Sequence, residues 1–214
     1  MTIETKRIGR PTGQSDFLEE EEVQRILGLP KRNTREGLRD YSILLVLANT
    51  PVRKGELCSL KVGNLVKNGH ASMEYVALKK RKDREKTRRV HMPISEDVYE
   101  ALMRYLRSEY RGQDLTPDLP LFRTMGKHGP WEKKPLTPKS VDFVVRKYVR
   151  LAEIKKRVTP HSFRATYLTL RLDRGISPRT LQELACHESI SSTERYLRTN
   201  LTRIQDGALA LAFV

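Results

Sequence analysis

The sequence predicts a mainly helical α+β domain with a small antiparallel sheet of three strands. Three observations carry that reading. Apolar residues recur at helical spacing early and late in the chain, the stretch from about 65 to 92 reads as strands, and Thr-Pro or Ser-Pro pairs open helices in the last third. Residues 1–16 are polar and basic, with Gly9-Arg10-Pro11 and no apolar period, so they read as an arm or linker. A helix begins near Glu19. The next runs from about Thr34 to Asn49, with Leu38, Tyr41, Leu44, Leu45 and Ala48 on one face, until Pro51 breaks it. Arg53 lies at the start of a short helix through Leu60. Asn68-Gly69 turns a short strand into a longer one, Ser72 to about Lys82, which returns as Lys86 to Met92. Ser95 caps a helix to about Tyr110, with Val98, Leu102, Tyr105 and Leu106 facing inward. Residues 111–136 are rich in Gly and Pro and read as loop around a short apolar Leu119–Phe122 segment. Thr137-Pro138, Thr159-Pro160 and Ser177-Pro178 then start helices ending near Ala152, Asp173 and Cys186. The last segment, Leu201 to Val214, carries Leu201, Ile204, Leu209, Leu211 and Phe213, which require burial.

At 214 residues the chain fits one large domain or two small ones and can bury a real core. Lys and Arg number 41 against 26 Asp and Glu, a formal charge of +15. This excess favours a polyanionic partner, with nucleic acid ahead of anionic membrane. The charge is also clustered, since eight of the eleven residues from Lys79 to Arg89 are basic. No apolar run approaches a membrane span and no signal peptide is recognisable, so the expected compartment is the cytoplasm, on the nucleoid. Cys58 and Cys186 sit in apolar stretches, as reduced core thiols do, and lack the ligand-spaced partners of a zinc site.

Five residues stand apart from this background. Arg53 lies in Thr50-Pro-Val-Arg53-Lys-Gly-Glu56-Leu57, His161 and Arg164 in His-Ser-Phe-Arg, and His187 and Tyr196 follow nine residues apart. Arginine forks clamp a phosphodiester, histidines move protons, and a tyrosine hydroxyl can attack phosphorus. His161 and Arg164 share one helix face at i and i+3, in a first turn that favours phosphate. Glu56, three residues after Arg53, is placed to orient it. Read singly, most basic residues are surface charges and most tyrosines are packing residues.

In order and spacing the set resembles the tyrosine recombinase (phage integrase) family, and Phe17-Leu-Glu-Glu-Glu-Glu-Val-Gln-Arg-Ile-Leu27 resembles the opening of that family's catalytic domain. The resemblance implies a helical catalytic domain of the tyrosine recombinase type at 17–198, between the basic arm and an apolar tail at 199–214. It implies a site-specific recombinase that cleaves and rejoins double-stranded DNA through a 3′-phosphotyrosine, without metal, cofactor or ATP. Arg53 and Arg164 would be the clamp and His161 a proton-transfer or phosphate-binding group. His187 would be a phosphate donor and Tyr196 the nucleophile. A hairpin lysine protonates the leaving oxygen in the family. Lys82 needs the fewest insertions and is our choice, while Lys80 keeps the same strand face. Protomers that are monomeric or weakly associated when free would form a tetramer on two DNA sites, with a helper DNA-bending protein as a further partner.

Two departures, one open alternative and two rivals accompany that reading. Cys186 stands where the family has glycine, and its small size should be tolerated. A sixteen-residue arm occupies the place of the family's N-terminal DNA-clasping domain, so the chain is either a single-domain member or part of a longer integrase. The apolar tail would pack in cis, or dock onto a neighbouring protomer as such tails often do in the family. A type IB topoisomerase uses similar tyrosine chemistry. A non-catalytic DNA-binding regulator, with a helix-turn-helix split near His187, leaves Arg53, His161 and Arg164 unexplained.

Overall fold

A computed structural model describes residues 17–77, 88–124 and 134–186. In chain order its helices and strands are α1 (Glu20–Gly28), α2 (Arg35–Asn49), α3 (Lys54–Ser59), β1 (Leu65–Asn68), β2 (His70–Val76), β3 (Arg89–Pro93), α4 (Glu96–Glu109), α5 (Pro138–Leu151), α6 (Pro160–Asp173) and α7 (Pro178–Leu184). The architecture is the mainly helical α+β arrangement with a three-stranded antiparallel sheet, ordered β1-β2-β3.

Local chemistry sets the helix starts. Side-chain oxygens of Thr34, Thr137 and Ser177 accept from the backbone N–H three residues on, at 3.1, 3.2 and 3.1 Å, and Ser95 does so more loosely at 3.4 Å. Each satisfies a donor that the helix itself cannot. Pro138, Pro160 and Pro178 occupy the first turns of α5, α6 and α7. The sheet is pinned by Gly69, whose φ of +76° lets β1 turn directly into β2. Alternation then points Met73 and Tyr75 inward while Glu74 and Val76 face out, with Met73 opposite Met92 and Tyr75 opposite Val90.

Helix α2 departs from the one-faced helix expected. Ile43, Leu44, Leu45, Val46 and Leu47 are all buried, whereas Tyr41 and Ala48 are only partly so. α2 is a central helix, enclosed by α1, α4, α5 and α6. Its enclosure traps charge as well. Asp40 accepts from Arg39, from Lys147 Nζ and from the Tyr148 hydroxyl, so the carboxylate is satisfied and α2 is fastened to α5. α6 is the second interior helix, and Thr166 Oγ1 accepts from the backbone N–H of Leu18 at 2.7 Å.

The strand expected to reach Lys82 is described as far as Val76, with Ala77 N–H still donating to the Arg88 carbonyl; residues 78–87 lie outside the described residues. The return strand is assigned from Arg89 rather than Lys86. In the expected loop, Leu121 and Phe122 are buried, and Tyr110 donates to the Pro120 carbonyl. Cys58 and Cys186 are free thiols packed against the core but half-buried rather than enclosed. Among the described residues no helix is long and apolar enough to cross a membrane.

Candidate active site

Arg53 owes its position to Pro51 and Glu56. Thr50 ends α2 in extended conformation, Pro51 forbids continuation, and Arg53 becomes the N-cap of α3. Glu56, 1% exposed, accepts from the Arg53 backbone N–H at 2.7 Å and from its Nη1 at 2.9 Å. One buried carboxylate therefore fixes both ends of the same residue, as the i, i+3 spacing suggested. The Arg53 side chain stays 30% exposed, and its guanidinium also donates to the Cys186 carbonyl at 3.4 Å.

Arg164 comes from the first turns of α6. Pro160 opens that helix, and Thr159 N–H donates to Ser162 Oγ at 3.0 Å. The Arg164 side chain is buried and donates to the carbonyls of Pro51 and Ala185. Both partners are neutral, so these bonds orient the guanidinium without cancelling its charge. His161, one turn nearer solvent on the same face, is exposed. The three side chains line one cavity of about 340 Å³, together with Thr159, Lys54 and Asp142. The size and the paired guanidiniums suit a phosphodiester anion.

Two further groups feel these charges. Burial pushes the Tyr75 hydroxyl well above the ordinary phenol range, and Arg164 and Arg53 pull the other way. Burial also raises the Cys186 thiol, with the Arg88, Arg53 and Arg164 charges opposing it. Cys186 follows the end of α7 with φ of +50°, a left-handed conformation rarely adopted outside glycine. The expectation based on its small size thus missed the real demand. The position constrains the backbone, and a cysteine there is strained however little room it takes.

Sequence reasoning missed Lys54 and Asp142, whose side chains meet at 2.7 and 2.9 Å on the cavity rim. Lys54 carried a signal by adjoining Arg53; Asp142, 88 residues away in the chain, carried none. Lys82, its alternative Lys80, His187 and Tyr196 lie outside the described residues. Among the described residues, no three His, Cys, Asp or Glu side chains gather as metal ligands would.

The model of the Phage integrase family matches residues 16–203. Tyrosine recombinase XerA of Pyrococcus furiosus is 33% identical over 191 residues, which are 88% of this chain and 59% of that protein. Tyrosine recombinase XerC of Syntrophus aciditrophicus is 28% identical over 187 residues, 86% of this chain and 56% of that protein. The chain thus spans a little over half the length of these relatives. A crystal structure of XerA recombinase superposes with a TM-score of 0.66 at 26% identity, over 88% of this chain and 65% of that one. XerH site-specific recombinase, in a post-cleavage complex with palindromic difH substrate, shares the fold at a TM-score of 0.69 and 19% identity, over 91% of this chain and 52% of that one. With the family match running from before α1 to beyond α7 and the same helical fold in its relatives, the chain belongs to the phage integrase (tyrosine recombinase) family and carries its catalytic-domain fold.

Proposed function

We propose that this protein is a site-specific DNA recombinase that cleaves and rejoins double-stranded DNA through a 3′-phosphotyrosine. The observation that carries the reading is the meeting of Arg53, Arg164 and His161 around one open cavity, from segments more than 100 residues apart. Two guanidiniums held by a buried carboxylate and by backbone carbonyls form a preorganised cradle for the added negative charge of a pentacovalent phosphorus. Tyr196 attacks the scissile phosphate as its phenolic proton passes to His161. The P–O bond to the 5′ oxygen breaks, and that oxygen leaves with a proton from Lys82. His187 donates a hydrogen bond to the phosphate. A 5′ hydroxyl from a partner duplex then reverses the step and restores the tyrosine. One phosphoester replaces another, so neither a metal nor ATP is needed to conserve the bond.

The assembly that fits this chemistry is a tetramer on two DNA sites, formed from protomers that are monomeric or weakly associated when free. A DNA-bending helper would be a further partner, and the place of work would be the nucleoid. Residues 17–198 would act as the catalytic domain, between the basic arm at 1–16 and the apolar tail at 199–214. The excess of +15 charges supports a DNA partner. The XerH structure was determined with its difH substrate, and the Tn1549 transposon integrase structure with circular intermediate DNA, which supports DNA as the partner of this fold.

Trapping on a nicked suicide duplex tests the reading. The wild-type protein should form a covalent adduct and Tyr196→Phe should not, with DNA binding retained because only one oxygen is lost. An adduct of undiminished yield in Tyr196→Phe would remove the nucleophile. Absence of any wild-type adduct on cognate DNA would favour a binding protein. Relaxation of plasmids that lack a partner site would favour a topoisomerase.

A further inference from the structure

We infer that the Lys54–Asp142 ion pair is a positioning device for Arg53, and that Asp142 acts through it although it touches no reacting atom. The inference rests on the phosphate-clamp reading above. Asp142 is a paradox in that setting, since a carboxylate on the rim of a phosphate cavity opposes the anion the cavity should take. Both its oxygens are occupied by Lys54 Nζ, at 2.7 and 2.9 Å, so the lysine is held by the carboxylate at the rim.

What the pair supplies is a connection. α3 has only six residues, and its buried Leu57 seats its middle while its first residue, Lys54, stays at the surface. Glu56 fixes Arg53 relative to α3, because both belong to the same short helix. Toward Arg164, α3 is held by the buried Leu57 and Leu60 and by the Arg164 bond to the Pro51 carbonyl, none of which grips its exposed first residue, Lys54. The other polar tie of the Arg53 guanidinium, to the Cys186 carbonyl, is long at 3.4 Å. Asp142 stands on α5, a fourteen-residue helix seated by the buried Val141, Val144 and Val145. Lys54 follows Arg53 directly, so its bond to Asp142 anchors the N-terminus of α3 to this seated helix. The two arginines must bracket one phosphorus together, and this tie steadies the Arg53 side of that span, beside the bonds both guanidiniums make to the Cys186 and Ala185 carbonyls. The pair is partly exposed, at 43% and 33%, so it adds little to global stability. Its loss should therefore register in geometry-sensitive chemistry and not in melting.

The test compares wild type, Asp142→Asn, Lys54→Met, Lys54→Arg and the double variant Lys54→Met/Asp142→Asn on a cognate suicide duplex. Affinity, single-turnover cleavage at saturating DNA and thermal melting are measured for each. Asp142→Asn should bind as well as wild type or several-fold more tightly, since a repulsive charge is gone. Its cleavage should nevertheless slow by about tenfold to a hundredfold, the scale of a displaced catalytic group. The double variant should cleave no worse than the slower single one, because one pair is lost once. Lys54→Arg, which can still bridge to Asp142, should recover most of the rate lost in Lys54→Met. Asp142→Asn cleaving at the wild-type rate would overturn the inference. So would parallel loss of binding, cleavage and melting temperature, which marks a merely structural residue. A wild-type protein that forms no adduct on this duplex would instead sink the clamp reading itself.

Discussion

Arg53 and Arg164 donate to adjacent carbonyl oxygens, those of Cys186 and Ala185, at the C-terminal end of α7. A helix end gathers partial negative charge on its last carbonyls, which suits cations. The two guanidiniums of the proposed clamp are thus indexed against one short piece of backbone, and His187 is the next residue in the chain.

The two arginines should matter for cleavage and for folding, by different routes. Arg53→Ala and Arg164→Ala should each slow cleavage by orders of magnitude, through loss of roughly 3–4 kcal/mol of transition-state stabilisation. Arg164 is buried and ties Pro51 to Ala185, so its loss should also lower the melting temperature clearly. Arg53 is part-exposed but neutralises the buried Glu56 carboxylate, so its loss should lower the melting temperature too, and Arg53→Ala/Glu56→Gln should regain part of it. Single-turnover rates with parallel thermal melts check both, and near-wild-type cleavage removes either arginine from the site.

Cys186→Gly should stabilise the protein by about 1 kcal/mol, since glycine takes a φ of +50° without the strain of a Cβ. Cys186→Val should destabilise it, because a β-branched side chain is poorest in that conformation. Urea unfolding of the three proteins decides this. A Gly variant less stable than wild type would mean that the thiol's packing outweighs the backbone strain.

The leaving-group acid can be located with a duplex bearing a 5′-bridging phosphorothiolate, whose thiolate departs without a proton. Lys82→Ala should be slow on normal DNA and restored on the sulfur substrate. If Lys80→Ala shows the restoration instead, the strand face and not the count of insertions marks the acid.

Burial pushes the Cys58 thiol from 9.0 up to about 11. The neutral thiol is therefore favoured in the folded state, and the associated stability is whole below about pH 9 and lost as pH rises toward about 11. Wild type should lose more stability over that interval than Cys58→Ser, measured by denaturant unfolding at each pH. Parallel pH dependence in the two proteins would refute the assignment.

Helix starts were legible in the sequence because an N-cap is local chemistry. Ser95, Thr137 and Ser177 need only their own next turn, and all three cap as expected. Glu56 was legible beside Arg53 for the same reason of spacing. The enclosure of α2 was not, because an interior helix is defined by what other elements place around it. Nor were the partners of Arg164, since every residue offers a carbonyl and only the fold decides that those of Pro51 and Ala185 are used. Lys54 and Asp142 meet across 88 residues, a distance at which spacing carries no information. The strain at Cys186 was hidden behind its size, for a residue's volume does not report the backbone angle asked of it.

The hydrogen bond from Leu18 N–H to Thr166 ties the start of the described chain to the middle of α6, two residues past Arg164. Its consequence is mechanical. Any pull or twist arriving through the segment ahead of Leu18 meets the clamp-bearing helix first, before it reaches α1 or the sheet. A load entering the domain at Leu18 is thus geared to the lever that carries His161 and Arg164, and tension there translates into the aim of a guanidinium.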